Sequence, residues 1–180
     1  MPSIDRAILL AAGRGSRLGS LTEHRPKCLL EVGGISILER ALQSLSEGGV
    51  SEAILVVGHQ KDQVRRIAGL QYAGIKIRYV ANDRHAETNT AYSLWLARSY
   101  LNTDCLLVEG DILFDAGTLE RVFSCFRDRS VWTAIPVAPG SREGILLQQN
   151  QAGNVTVAQL VGRAEHDASD LIYKCAGIQL

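Results

Sequence analysis

LLAAGRGSRLGSLTEHRPKCLLEVGG, residues Leu9 to Gly34, is the stretch from which the rest of the chain is read. The apolar run Ala7 to Ala12 empties into a loop carrying Gly13, Gly15 and Gly19. Arg14, Ser16 and Arg17 are interleaved with these glycines, and Pro26 and Lys27 follow. Glycines without Cβ let backbone N–H groups approach an anion closely, and the neighbouring cations neutralise it. The pattern describes a polyphosphate cradle at the carboxyl end of a strand, where open α/β sheets place their ligands. Two familiar polyphosphate motifs fail on spacing. The dinucleotide fingerprint needs a third glycine three residues after the second, but Leu18 stands there and Gly19 comes one place late. A P-loop closes on Gly-Lys-Ser/Thr, whereas Lys27 follows Pro26, well past the glycines. A solvated glycine-rich loop would account for a lone Gly-x-Gly. It does not account for Gly-x-Gly-Ser-Arg-Leu with a separate Pro-Lys downstream.

The 180 residues are 46% hydrophobic and 21% charged, which suits one globular α/β domain with a sizeable core. Nineteen basic residues balance nineteen acidic ones, so no global basic field argues for nucleic acid as a partner. Phosphate recognition is therefore expected to be local. No apolar run approaches the length of a membrane span, and MPSIDRAILLAAGRG has too short an apolar core for a signal peptide. The expectation is a cytoplasmic protein without a membrane partner; homo-oligomerisation is left open. Cys28, Cys105, Cys125 and Cys175 show no CxxC pair or zinc-like spacing. Cys105 and Cys125 read as small buried residues, while Cys28 beside Lys27 leaves a functional thiol conceivable. His24, His59, His85 and His166 share no ligand pattern, and His24 alone lies inside the phosphate loop.

Taken in order, Ile4 to Leu10 reads as a buried strand. Ser36 and Glu39 have capping-box spacing at the head of a helix with Ile37, Leu38, Ala41, Leu42 and Leu45 on one face, ended by Gly48-Gly49. Ala53 to Val57 is a second strand, Gln60 to Ala68 a short helix with Val64 and Ile67 inward, and Ile75 to Val80 a third strand. Thr88 or Asn89 caps a helix that buries Ala91, Leu94, Trp95 and Leu101. Cys105 to Val108 is a fourth strand; Asp115 caps a helix with Leu119, Val122, Phe123 and Phe126 on the sheet. Val131 to Val137 is a fifth strand, and Pro139-Gly140 turns the chain. Gly144 to Gln149 and Val155 to Val161 form a hairpin around Gln151-Ala152-Gly153, and Leu171 to Leu180 a last strand. This alternation predicts a three-layer, Rossmann-like α/β fold: a mostly parallel sheet, helices on both faces, and an antiparallel addition near the C-terminus.

LAAGxGSRL followed downstream by PKxLLxVxG resembles the signature of the nucleoside triphosphate transferases, which activate sugar phosphates and phosphocholine. The resemblance implies that the glycine-rich loop wraps a triphosphate while the arginine and the Pro-Lys lysine contact its phosphates. It places nucleotide binding at Leu10, Ala11, Ala12, Gly13, Gly15, Ser16, Arg17 and Lys27, with Arg17, Lys27 and Asp111 as catalytic residues.

Asp111 ends an apolar strand in LLVEGDILF, at the same sheet edge as the first loop. A strand-end turn aspartate is one reading; a Mg²⁺ ligand beside phosphate is the other. In the resembling family a strand-ending aspartate here binds the metal, so Mg²⁺ on Asp111 is the expectation. Glu109 would face the same side of the strand, as a helper or simply solvated. In ANDRHAETNTAYSLWLAR, Asn82, Thr88, Asn89 and Thr90 cluster between a strand end and a helix start, where amides and hydroxyls can read a base edge or ribose. Tyr92 and Trp95, three apart, read as core or half-core packing, with a quaternary ammonium cage as the other reading.

TNTAYSLWLAR resembles the branch that transfers cytidylyl groups to phosphocholine or phosphonates. The sugar-phosphate branch carries a glutamine-glycine pattern there and an asparagine after the metal aspartate, where this chain has Asn82-Asp83 and Ile112. The implied reaction moves CMP from CTP onto a small phosphorylated or phosphonate acceptor and releases pyrophosphate. A sugar-1-phosphate enzyme using UTP, dTTP or GTP is the first alternative, a catalytically silent nucleotide-binding domain the second. The family takes a second metal carboxylate from a later segment. Glu165, Asp167 and Asp170 are the late acidic candidates, without the expected context, and residues 1–180 are expected to form a nucleotidyltransferase domain lacking a C-terminal portion.

Overall fold

A computed structural model of the chain describes residues 4–125, 130–136, 144–149, 155–161 and 173–179. They fall into two compact units, the first ending at Ser130 and the second spanning Val131–Gln179. The first begins with strand β1 (Arg6–Ala11), followed by two 3₁₀ turns (Ser16–Thr22 and Lys27–Leu29) and a hairpin of β2 (Glu31–Val32) and β3 (Ile35–Ser36). Then come α1 (Ile37–Glu47), β4 (Glu52–Val57), α2 (Lys61–Ala68), β5 (Gln71–Tyr72), β6 (Ile75–Ala81), α3 (Thr90–Leu96), β7 (Leu106–Glu109) and α4 (Ala116–Cys125).

β1 is the centre of this unit. It pairs in parallel with β4 on one side and β7 on the other, β4 pairs in parallel with β6, and β5 runs antiparallel along β6. Ala7 to Ala11 are buried without a break, as a parallel strand covered on both faces requires. Ile8, Leu10 and Ala12 pack with Ile54, Val56 and Ala97 on the α3 side, where Leu94, Cys105 and Leu107 join them. Leu9 and Leu55 alternate to the opposite face. Leu38, Leu42 and Leu45 of α1 and Leu119 and Val122 of α4 are buried as well. The chain thus steps from β1 through β4 to β6, then returns to place β7 on the far side of β1. That reversal is the topological switch point where α/β sheets hold ligands.

The second unit is antiparallel. β8 (Trp132–Pro136), β9 (Gly144–Gln149), β10 (Val155–Val161) and β11 (Tyr173–Gln179) pair as β10 with β9, β9 with β11, and β11 with β8. The fold is therefore a mostly parallel, Rossmann-like sheet flanked by helices, with an antiparallel addition, as expected. Among the described residues no helix is long and apolar enough to cross a membrane.

Several local expectations are corrected. α3 is seven residues long and buries Ser93, with Ala97 following it, while Ala91 is exposed and Trp95 and Leu101 are 50% and 44% exposed. The cause is polar: the buried Asn82 amide donates to Ser93 Oγ at 3.0 Å and turns the small-residue face inward. Ile67 is 40% exposed and Ala68 takes its place in the core. Cys125 is exposed and Cys105 half-buried. The β2–β3 hairpin was not anticipated, although Gly33 and Gly34 carry it at φ 63° and 79°, the paired positive values of a two-residue hairpin turn. Phe126, Pro139-Gly140, Gln151-Ala152-Gly153, Glu165, Asp167, Asp170 and His166 lie outside the described residues.

The capping box is formed in full. Glu39 N–H donates to Ser36 Oγ at 3.2 Å, and Ser36 N–H and Oγ–H donate to Glu39 Oε2 at 3.2 and 2.6 Å. The Ser36 hydroxyl holds the Glu39 carboxyl below the usual glutamate range, against the effect of burial. Ser36→Ala should cost about 1 kcal/mol, lowering Tm by roughly 2–4 °C in a chain of this size. A depressed carboxylate pKa stabilises above the unfolded value and loses that contribution as pH falls through the folded one. The Tm gap between the two proteins should therefore narrow below roughly pH 4. Thermal unfolding at neutral and acidic pH checks both statements.

Candidate active site

The carboxyl ends of β7, β1, β4 and β6 lie along one edge of the sheet. β1 runs through Ala12 into the glycine loop, β7 through Gly110 into Asp111, and β6 into Asn82. Backbone bonds tie these exits together: Gly110 N–H donates to Leu10 C=O at 3.0 Å, His59 N–H to Ala12 C=O at 3.1 Å, and Asn82 N–H to Val57 C=O at 2.8 Å. The spacing leaves no room for side chains at two points. A Cβ on Gly110 would fall 2.7 Å from Leu10 C=O, and one on Gly58 2.7 Å from Ala12 C=O and 2.6 Å from His85 Cβ.

At this edge opens a cleft of about 250 Å³. Leu10, Ala11, Ala12, Gly13, Gly15, Arg17, Lys27, Asn82, Thr88, Asn89 and Asp111 all line it; of the residues expected from sequence, only Ser16 does not. Ser16 is exposed and opens the 3₁₀ turn Ser16–Thr22. Gly15 adopts φ 73°, and its carbonyl accepts from Leu18 N–H and Thr22 Oγ, each at 2.9 Å. A Cβ there would meet the Lys27 side chain at 3.0–3.3 Å, so the absent side chain is the space Lys27 occupies. Beneath Lys27, Cys28 and Leu29 are buried and fix the turn Lys27–Leu29.

Lys27 Nζ donates to Asp111 Oδ2, joining the Pro-Lys segment to the end of β7. Arg14 and Arg17 are exposed and, among the described residues, make no hydrogen bond or ion pair. Two unengaged guanidinium groups thus flank a glycine loop beside an ion pair, an arrangement that receives anions.

The other end of the cleft is neutral and polar. Asn82 is buried, and its amide donates to Thr88 Oγ at 3.1 Å and Ser93 Oγ at 3.0 Å while Oδ1 accepts from Arg84 N–H at 3.0 Å. Asn82 therefore chiefly shapes the 82–88 loop, keeping one acceptor position in reserve. Asn89 caps α3 by accepting Tyr92 N–H at 3.3 Å, which leaves its amide N–H₂ for other use.

Of the lining side chains, His85 and Ser93 were given no role by the sequence, and Glu109 was read as a helper or simply solvated. His85 packs over Gly58, its ring 5.9 Å from His59; its buried Nδ1 has no partner among the described residues. Burial, then the neighbouring His59, holds its pKa below the usual histidine range, so it is neutral near pH 7. A lone histidine in a polar stretch gives no such signal. Ser93 enters through the Asn82 bond, visible only in three dimensions. Glu109 is half-buried, and burial, followed by the Asp111 charge, raises its pKa while Lys27 opposes.

Two alternative readings lose support. Burial pushes the Cys28 thiol up to about 12, with Asp111 adding to the rise, so Cys28 stays protonated and is packing rather than a nucleophile. Tyr92 and Trp95 stack at 5.6 Å and 21°, with Arg84 5.6 Å over Tyr92 and Arg98 4.0 Å over Trp95. The chain's own guanidinium groups cover the ring faces an ammonium would need, and neither ring lines the cleft. His24 is exposed and also lies off the cleft. Among the described residues no group of three or more His, Cys, Asp or Glu side chains converges as a metal cage.

The chain is 45% identical over 134 residues to the CMP-5′-(3-aminopropyl)phosphonate synthase of Streptomyces rubellomurinus, a match covering 74% of this chain and 21% of that protein. It is 29% identical over 171 residues to a UTP–glucose-1-phosphate uridylyltransferase of Haloferax volcanii, covering 93% of this chain and 68% of that one. The solved CTP:phosphocholine cytidylyltransferase of Streptococcus pneumoniae has the same fold, with TM-score 0.75 and 23% identity over 97% of this chain and 69% of that one. The chain thus spans about a fifth of its phosphonate relative's length. Residues 7–174 match the MobA-like NTP transferase domain, and the chain belongs to that family.

Proposed function

We propose that this nucleotidyltransferase-family chain transfers CMP from CTP to a small phosphate or phosphonate acceptor. One observation carries the reading: Gly13, Gly15, Arg17, Lys27 and Asp111 meet in a single cleft at the switch point of the sheet. An acceptor oxygen, already anionic, forms a bond to the α-phosphorus of the nucleotide. The bond from that phosphorus to the bridging oxygen breaks, and pyrophosphate leaves with the electron pair. No proton need move, so the protein's contribution is positioning and charge neutralisation. The glycine loop and Arg17 hold the triphosphate, and Lys27 offsets charge developing on the phosphates.

Asp111 is a hard oxygen donor beside the phosphate loop, and Mg²⁺ takes one or two carboxylates and completes its shell with phosphate oxygens and water. The donor chemistry fits, and Asp111 would hold the ion. Bound there, Mg²⁺ supplies positive charge to the triphosphate. The phosphonate relative's name and the TNTAYSLWLAR segment favour a cytidylyl group and a phosphonate or phosphocholine acceptor. The uridylyltransferase relative, aligned over most of the chain, supports the sugar-1-phosphate alternative.

Thermal unfolding with CTP, UTP, GTP, ATP and dTTP, with and without Mg²⁺, separates these readings. A ligand at 100-fold its Kd stabilises by about 2.7 kcal/mol, or roughly 5–10 °C here. A Mg²⁺-dependent shift with CTP alone is expected; a shift with UTP, dTTP or GTP moves the assignment to sugar phosphates. Binding without pyrophosphate release at high acceptor would mean a silent domain, and no shift with any nucleotide would remove the reading. Lys27→Ala should lower turnover by roughly 10²–10³, measured as pyrophosphate release. Gly15→Ala should act through the same lysine, because the new Cβ meets its side chain and positive φ strains the loop. Its expected signature is a reduced CTP-induced Tm shift in a chain that remains folded.

A further inference from the structure

Glu109 is the last residue of β7 and stands opposite Leu10 in the parallel register. Cys105 and Leu107, its alternates on the strand, pack into the α3-side cluster, so the Glu109 side chain belongs to that face. A carboxylate here interrupts an apolar run within a cleft. It is half-buried, and among the described residues it accepts no hydrogen bond and forms no ion pair. The adjacent cation is committed elsewhere, since Lys27 donates to Asp111. A carboxylate drawn partly from water without partners is costly unless a ligand brings donors.

The position within the cleft indicates which donors. Toward the loop lie Lys27 and Asp111, whose charges act on Glu109. On the α3 face lie Ser93 and, bonded to it, Asn82 at the neutral polar end. A nucleotide with its triphosphate at the glycine loop and its base at the amide end puts the sugar between the two. The groups a ribose presents there are vicinal hydroxyls, and a carboxylate is the side chain that accepts from both, as acidic residues do in other nucleotide folds.

We propose that Glu109 accepts hydrogen bonds from the ribose hydroxyls and makes the cleft selective for ribonucleotides over 2′-deoxyribonucleotides. The inference rests on the nucleotide-binding reading above. A lost hydrogen bond to a charged group corresponds to a difference on the order of 10–100-fold in affinity.

The test is calorimetric titration of the whole chain with CTP and 2′-deoxy-CTP in Mg²⁺ and without acceptor, repeated for Glu109→Gln and Glu109→Leu. The wild-type chain should prefer CTP by on the order of 10–100-fold, and both variants should compress that ratio to within about threefold, chiefly by losing CTP affinity. The near-isosteric glutamine guards against a folding defect, because its residual deoxynucleotide binding reports an intact cleft. Equal wild-type affinities, or an unchanged ratio in the variants, would overturn the role of Glu109 while leaving nucleotide binding intact. Variants that weaken both nucleotides equally and lose their Mg²⁺ dependence would also overturn it, assigning the carboxylate to the metal. If the wild-type chain binds neither nucleotide, the functional reading itself fails, an outcome distinct from the other two.

Discussion

The close approach of three backbones at the carboxyl end of β1 is the constraint on which the site depends. Gly110 and Gly58 flank that end, and a methyl group at either would strike a carbonyl of β1 or of the residue after it. With both positions bare, the exits from β7 and β4 lie directly against the root of the glycine loop. Asp111 is thereby brought to Lys27, although the two are 84 positions apart in the chain. The opposed charges then face one another across the switch point instead of facing solvent separately.

Burial and charge divide the work within the cleft. Lys27 rises from a turn whose next two residues are sealed in the core, so its backbone is fixed while its side chain reaches across Gly15. Arg14 and Arg17, by contrast, make no hydrogen bond or ion pair among the described residues and stay exposed. The 82–88 loop is built oppositely, from neutral groups that largely satisfy one another around Asn82. One end of the cleft presents charge and the other neutral hydrogen-bonding groups.

Much of this was legible in the amino-acid order because it is local. The uninterrupted apolar run before Gly13, the Ser36–Glu39 spacing and the C-terminal hairpin each follow from residues within a few positions of one another. The glycine loop was legible for the same reason, and Ser16, expected with it, lies off the cleft because motif spacing does not say which way a turn residue points. What escaped was decided by distant contacts. The inward face of α3 is set by Asn82, eleven positions from Ser93, so hydrophobic periodicity pointed at Trp95 and Leu101 instead. His85 and Cys28 acquire their character from what buries them, which composition alone does not record.

Every described residue lining the cleft lies at or before Asp111, within the unit that ends at Ser130. Sequence drift confined to the described later strands therefore leaves the identity of every described lining residue unchanged.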